Sequence, residues 1–110
     1  MAIAEITAQS HLKYAGIGNI CALLRSASGD QHMVSLSGIV GQELRKVQEF
    51  AYSWPADALL IMHSDGLATH WNLDQYPGLL ARHPGLIAGT LYRDFVRGSD
   101  DVTVLVGRKR

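Results

Sequence analysis

The sequence has one cysteine, three prolines, no net charge and no long hydrophobic run. A single cysteine excludes an internal disulfide and a cysteine-rich zinc site, so we expect a cytoplasmic protein. Ten basic and ten acidic residues cancel, and the clearest cluster of one sign is the terminal Arg108-Lys109-Arg110, which argues against nucleic-acid binding. No apolar run approaches the roughly 18 residues that a membrane helix needs. The sequence therefore predicts a soluble protein with no nucleic-acid or membrane partner.

The 110 residues, of which 47% are hydrophobic, can build the core of one small domain. Apolar residues at a spacing of four, Ile87, Leu91 and Phe95, predict a helix. Pro84 suits the first helical position, and the helix is expected to run over 84–96. Mostly antiparallel strands that precede this helix, and one that follows it, indicate an α+β layered domain. The predicted strands are 2–6, 12–15, 20–25, 32–36, 45–52, 58–63 and 102–107, with a short helix near 77–82.

Two acidic turns adjoin buried strands. His63-Ser64-Asp65-Gly66 follows the apolar run 58–62, and Ser99-Asp100-Asp101 precedes the apolar run 102–106. Each turn predicts a carboxylate at the tip of a strand. Mg²⁺ and Mn²⁺ prefer oxygen ligands and retain several waters, so a few carboxylates brought together from strand ends are enough for a site. The pattern predicts a metal site for phosphate chemistry.

Three motifs in the same order resemble the metal-dependent type-2C (PPM) serine/threonine protein phosphatases, in particular their SpoIIE-like and RsbX-like bacterial branch. The motifs are Tyr14-Ala15-Gly16-Ile17-Gly18-Asn19, the run 58–67, and Tyr92-Arg93-Asp94-Phe95 together with 98–104. The order and spacing match over nearly the whole chain, which is more specific than any one motif. The resemblance implies a layered β-sandwich with flanking helices and a binuclear Mn²⁺ or Mg²⁺ centre at one end.

The same resemblance implies roles for individual residues. Asp65 and Asp100 match the family's metal-ligating aspartates and are the expected catalytic residues. Asp101 stands where the family often has Asn and is expected to support the site, while Gly66 allows the sharp turn after the first ligand. A cation-bound water has a lowered pKa and can attack a phosphoryl group, so no protein nucleophile is needed.

One residue of the family pattern has no counterpart in this sequence: the earlier Asp that bridges the two cations. We therefore expect residues 1–110 to hold the C-terminal part of the family domain, without its early strands. An incomplete sandwich leaves sheet edges and an apolar face uncovered, which predicts a homo-oligomer, a strand-swapped dimer or poor solubility.

Several candidate residues also have simpler structural explanations. Aspartate favours turns, which alone explains Asp65 and Asp100. His63 lies beside the predicted ligand, but a histidine that ends a buried strand is more often a hydrogen-bonded core residue. Cys21 lies inside an apolar strand and is predicted to be a small core residue. The other aromatic candidates are predicted to be surface histidines (His11, His32, His70 and His83) or core and rim tryptophans (Trp54 and Trp71).

Three functions follow as alternatives. The first is a phosphatase of a bacterial stress or sporulation circuit, acting on phosphoserine or phosphothreonine of a small regulatory protein of the anti-sigma antagonist type. The second is a catalytically incomplete relative that serves as a regulatory or binding module. The third is a metal-dependent phosphoesterase that acts on small molecules. The set of motifs favours the first.

Overall fold

Two antiparallel sheets and a helix contain most of the residues that the computed structural model describes, namely 2–7, 10–16, 20–27, 29–33, 50–68, 71–98 and 102–108. The strands are β1 (Ala2–Ile6), β2 (His11–Gly16), β3 (Cys21–Ser26), β4 (Gly29–His32), β5 (Phe50–Ser53), β6 (Leu59–His63) and β7 (Val104–Arg108). The helix α1 spans Pro84–Phe95, and two short 3₁₀ helices, Leu73–Gln75 and Leu79–Ala81, precede it.

The two sheets pack face to face around one apolar layer. Their strand orders are β1-β2-β5 and β4-β3-β6-β7, and every neighbouring pair is antiparallel. Because side chains alternate along a strand, Leu12 and Tyr14 of β2 point inward, where they pack in one cluster with Leu24 and Leu60 of the other sheet. The α+β layered sandwich that the sequence predicts is confirmed.

The strand that precedes the acidic turn, β6, is buried on both faces. It lies between β3 and β7, so its backbone is hydrogen-bonded on both sides. Leu60 faces the other sheet, whereas Leu59 and Ile61 belong to a second cluster that contains Ile87 and Leu91 of α1. The predicted strand at 58–63 is therefore confirmed, and it is held in the middle of the three layers.

The helix begins and ends close to the predicted residues. The His83 ring Nδ1 accepts a hydrogen bond from the backbone N–H of Gly85 at 2.9 Å, and Pro84 occupies the first turn. Such a cap supplies a partner for one of the free N–H groups of the first turn. No helix among the described residues is long and apolar enough to cross a membrane.

The largest difference in the sheets concerns β4. The sequence predicts this strand at 32–36, but β4 already begins at Gly29, which pairs with Ser26 across a two-residue hairpin loop. Gly29 has a φ of 116°, a left-handed conformation that residues with a Cβ rarely adopt, which favours glycine at the start of β4. Residues 34–36, the predicted loop at 38–41 and the first five residues of the predicted strand 45–52 lie outside the described residues.

The prediction for Cys21 is wrong: its side chain is exposed. Cys21 is the first residue of β3, at the end of the sheet, where it lines a small pocket of about 70 Å³ with His32, His63 and Trp71. This pocket leaves the thiol accessible, although the next three residues of β3 are buried.

A carboxylate on α1 connects the helix to the preceding loop. The Tyr76 hydroxyl donates to Asp94 Oδ2 at 2.6 Å, and Arg93 donates to the same carboxylate from Nε at 2.7 Å. The bonds from Arg93 and then Tyr76 lower the pKa of Asp94 from 3.8 to about 2. Because the folded-state pKa is depressed, this stabilisation is present above pH 3.8 and is lost as the pH falls through about 2.

The Tyr76→Phe substitution should therefore raise the pKa of Asp94 part of the way to its ordinary value, since Arg93 still donates. An NMR titration of the Asp94 side-chain carbon measures this shift. Tyr92→Phe is the matched control, because this exposed residue lies on the same helix as Asp94, whose hydrogen bond from a phenol comes from Tyr76. An Asp94 pKa that stays at about 2 in Tyr76→Phe would show that the phenol does not stabilise the ionised form.

The buried position of β6 gives a second prediction. Ile61 is 0% exposed, so Ile61→Ala removes buried methyl groups and leaves a cavity, which should cost about 2–5 kcal/mol of unfolding free energy. Ile3→Ala, at a side chain that is 62% exposed, should change stability by no more than about 0.5 kcal/mol. Urea unfolding measures the free energy of unfolding of both variants. Equal losses of stability would contradict the central packing of β6.

Candidate functional site

Asp65 lies in a turn directly after β6, and its side chain is exposed to solvent. The turn is closed by a hydrogen bond from the Leu67 backbone N–H to the Ser64 carbonyl oxygen at 3.2 Å. Gly66 and Leu67 are buried on the far side of the turn. The carboxylate is therefore accessible, while the residues on both sides of it are fixed to the core.

Both neighbours of Asp65 are bonded to the segment that joins α1 to β7. Ser64 makes two bonds to Thr103: its N–H donates to the Thr103 carbonyl at 3.1 Å, and its Oγ accepts from the Thr103 N–H at 3.0 Å. The Gly66 carbonyl accepts from the Arg97 N–H at 2.7 Å. The two ends of the segment between Arg97 and Thr103 are thus held against the two residues that flank Asp65.

Of the four predicted site residues, the structure describes Asp65 and Gly66. Asp100 and Asp101 lie outside the described residues, so their side-chain positions stay a prediction. Within the described ranges no group of three or more His, Cys, Asp or Glu side chains is placed to hold a metal ion. Thr103 contributes through its backbone N–H and carbonyl groups, which both bond to Ser64 just before β7 begins.

His63 is a hydrogen-bonded core residue, as predicted. Its side chain is 4% exposed, its Nδ1 lies 2.9 Å from the Ser64 carbonyl oxygen, and its Nε2 lies 3.2 Å from the Trp71 indole nitrogen. An indole N–H can only donate, so Nε2 is the acceptor and Nδ1 carries the proton that reaches Ser64. The two rings meet edge to face at a centroid distance of 5.9 Å. His63 is therefore a hydrogen-bonded support beneath the turn.

The remaining aromatic candidates occupy structural positions. His11, His32 and His83 are exposed, as predicted, and His70 lies outside the described residues. Trp54 is buried in the cluster between the sheets, and Trp71 packs beside the cluster under α1, so both tryptophans are core or rim residues.

The role of the Ser64 hydroxyl is missing from the sequence-based interpretation. Its partner, Thr103, is 39 residues away along the chain, and such a pairing leaves no periodic signal. Serine side chains in turns nevertheless often form hydrogen bonds to backbone groups. That local signal could have identified the residue, although not its partner.

The chain is similar in fold to several solved structures. A chain described under "The bacterial stressosome: a modular system that has been adapted to control secondary messenger signaling" has a TM-score of 0.84 and 23% identity over 97% of this chain and 57% of that one. RsbX in complex with magnesium has a TM-score of 0.74 and 21% identity over 96% of this chain and 53% of that one. The phosphatase domain of SpoIIE from Bacillus subtilis, presoaked with manganese, has a TM-score of 0.70 and 21% identity over 99% of this chain and 55% of that one.

These similarities establish the fold. The described sheets and helix have the same fold as part of the type-2C (PPM) phosphatase domains of RsbX and SpoIIE, which confirms the fold expected from the three motifs. This chain spans slightly more than half the length of the three solved chains, between 53% and 57%. No family model matches the sequence, and no curated protein matches it either.

The tie between Ser64 and Thr103 gives a testable prediction. Ser64→Ala removes the Oγ that accepts from the Thr103 N–H, so that amide should exchange with solvent faster, and stability should fall by about 0.5–1.5 kcal/mol. Hydrogen exchange followed by NMR reports the amide directly. Ser53→Ala, at an exposed serine of β5, is the control and should leave Thr103 unaffected. Unchanged protection of Thr103 in Ser64→Ala would contradict the tie.

Proposed function

We propose that this chain carries a metal site of a serine/threonine phosphoprotein phosphatase of the SpoIIE-like and RsbX-like type. In this proposal the carboxylates of Asp65 and Asp100 hold Mn²⁺ or Mg²⁺, Asp101 supports them, and Gly66 shapes the turn. The observation that carries the proposal is the pair of attachments at the acidic turn, because Ser64 and Gly66 bond to opposite ends of the segment that contains both other aspartates.

Chain length limits how far those aspartates can lie from the turn. Asp101 precedes Thr103 by two residues and Asp100 by three, and an extended chain spans at most about 3.6 Å per residue. Their Cα atoms therefore lie within about 7 Å and 11 Å of Thr103. Thr103 is itself bonded to Ser64, the residue before Asp65. This distance is short enough for carboxylates from both turns to share one cation or its water shell.

The donors at the turn suit a hard divalent cation. The Asp65 carboxylate is exposed, and carboxylate oxygens are ligands that hard divalent cations prefer. Two similar structures were obtained with such ions, RsbX with magnesium and SpoIIE with manganese. When bound, the cation would lower the pKa of a coordinated water and offset charge on the phosphoryl oxygens.

The protein residues would then position and support the reacting groups. Asp65, fixed by its neighbours, would hold the cation at the end of β6 without a change of backbone conformation. His63 would keep the Ser64 carbonyl in place through its Nδ1–H, and Trp71 would keep the histidine ring in place. No protein nucleophile is required, since the attacking group is water.

The proposed substrate is phosphoserine or phosphothreonine on a small bacterial regulatory protein of the anti-sigma antagonist type. Similarity to a stressosome chain and to SpoIIE, which is described as a cell fate determinant, supports a place in stress or sporulation signalling in the cytoplasm. A regulatory module of the same fold is the second candidate. It is favoured by the lack, in residues 1–110, of a counterpart to the earlier Asp that bridges the two cations in the family.

One experiment tests the metal site and the activity together. The chain is given Mn²⁺, a phosphoserine protein and a small aryl phosphate, alongside Asp65→Asn and Asp100→Asn. Each substitution removes one proposed ligand, so Mn²⁺ affinity measured by calorimetry should fall at least about tenfold, and turnover should be lost. Glu5→Gln is the matched control, since it removes an exposed carboxylate of β1 that lies outside the acidic turn.

The outcomes separate the three functions. Turnover of the phosphoprotein that both substitutions abolish supports the phosphatase. Mn²⁺ binding that depends on Asp65 and Asp100 without turnover supports the regulatory module, and hydrolysis of the aryl phosphate alone supports a phosphoesterase for small molecules. Variants that bind Mn²⁺ as tightly as the parent chain would overturn the metal site itself.

A further inference from the structure

A pocket of about 210 Å³ opens between the two sheets beside the acidic turn. Its walls come from both sheets and are mostly apolar, and its edge includes the two residues whose hydrogen bonds fix the turn. The lining residues are Ala2, Ile20, Met62, His63, Ser64, Thr103 and Leu105. The lining residues include no aspartate, glutamate, lysine or arginine.

The pocket adjoins the proposed cation site through the chain itself. Ser64 lines the pocket and is bonded covalently to Asp65, and Thr103 lines it while following Asp101 by two residues. Successive Cα atoms are about 3.8 Å apart. The pocket and Asp65 are therefore adjacent along the chain, so a peptide whose phosphorylated residue lies at Asp65 has its neighbouring side chains within reach of the pocket.

Size and lining indicate what fits. Pockets for drug-sized ligands measure about 300–1,000 Å³, so a pocket of this volume suits one side chain better than a cofactor. Leu105 forms an exposed side of the pocket, since 52% of its surface is accessible to solvent. A charged side chain would lose hydration there without gaining a partner, whereas an aliphatic or aromatic side chain would bury apolar surface.

We propose that this pocket binds a large apolar side chain next to the phosphorylated residue of the substrate, and so selects the sequence of the phosphoprotein. The proposal rests on the proposed phosphatase function, and it names the substrate feature that the same site recognises. Leu105 and Met62 would contact the bound side chain, while Asp65 would remain close to the phosphate.

Two synthetic peptides test this selection with the whole chain and Mn²⁺. One has leucine on both sides of phosphoserine, the other has aspartate there, and a small aryl phosphate lacks flanking residues altogether. The leucine peptide should have a KM about 10–100 times lower than the aspartate peptide, because a filled apolar pocket typically discriminates by that factor. Peptide affinity is also measured by calorimetry, which does not depend on turnover.

The variants are Leu105→Gln and Leu105→Ala, with Leu86→Gln on α1 as the control. Leu86 and Leu105 are 53% and 52% exposed, so the two Gln substitutions disturb folding to a similar extent, and neither changes the charge near the cation. Both Leu105 variants should raise the KM and weaken calorimetric binding of the leucine peptide about tenfold, while kcat and aryl phosphate hydrolysis stay unchanged. Leu86→Gln should change none of these values.

The outcomes separate the proposed pocket from the proposed phosphatase function. Turnover with equal KM for both peptides, unaffected by Leu105, overturns the pocket and leaves the phosphatase intact. Binding of the leucine peptide that depends on Leu105, in a chain that hydrolyses nothing, supports the pocket and overturns the catalytic function. Absence of both binding and turnover overturns both.

Discussion

The candidate site depends on the paired hydrogen bonds between Ser64 and Thr103. These bonds join the end of β6 to the start of β7, at the point where the regular ladder between the two strands gives way to turns. With the bond from Arg97 to Gly66, they hold a surface turn in place from both sides. They fix the backbone on both sides of Asp65, whose own side chain is exposed.

The rigidity of this turn derives from the packing beneath it. β6 is central in its sheet and buried on both faces, so its end cannot shift without disturbing Ile61 or the helix above it. His63 extends this support by one residue, since it is buried and bonds both to Ser64 and to Trp71. The chain thus continues from a fully buried strand to an accessible carboxylate within two residues.

Local patterns in the sequence predict β6, α1 and the β1–β2 hairpin, because continuous apolar runs, a spacing of four and a polar turn are all short-range signals. The same patterns misplace β4, whose start depends on the left-handed φ of Gly29, and they give the wrong burial for Cys21, which depends on where the sheet ends. The position of Asp65 at a strand tip is predictable from its motif. The Ser64 to Thr103 contact is not, since it joins residues 39 positions apart.

The attachments at the turn also bear on the proposed cation site. If Asp100 joins Asp65 as proposed, two like charges about 4 Å apart repel by about 1 kcal/mol in water and about 4 kcal/mol at an effective dielectric constant of 20. The three backbone attachments contribute roughly 1 kcal/mol each. They can hold the carboxylates together while water screens them, but they are at best comparable with the repulsion once a substrate displaces that water. A divalent cation bound between the two carboxylates would offset this repulsion, so the proposed arrangement would be most stable with the cation in place.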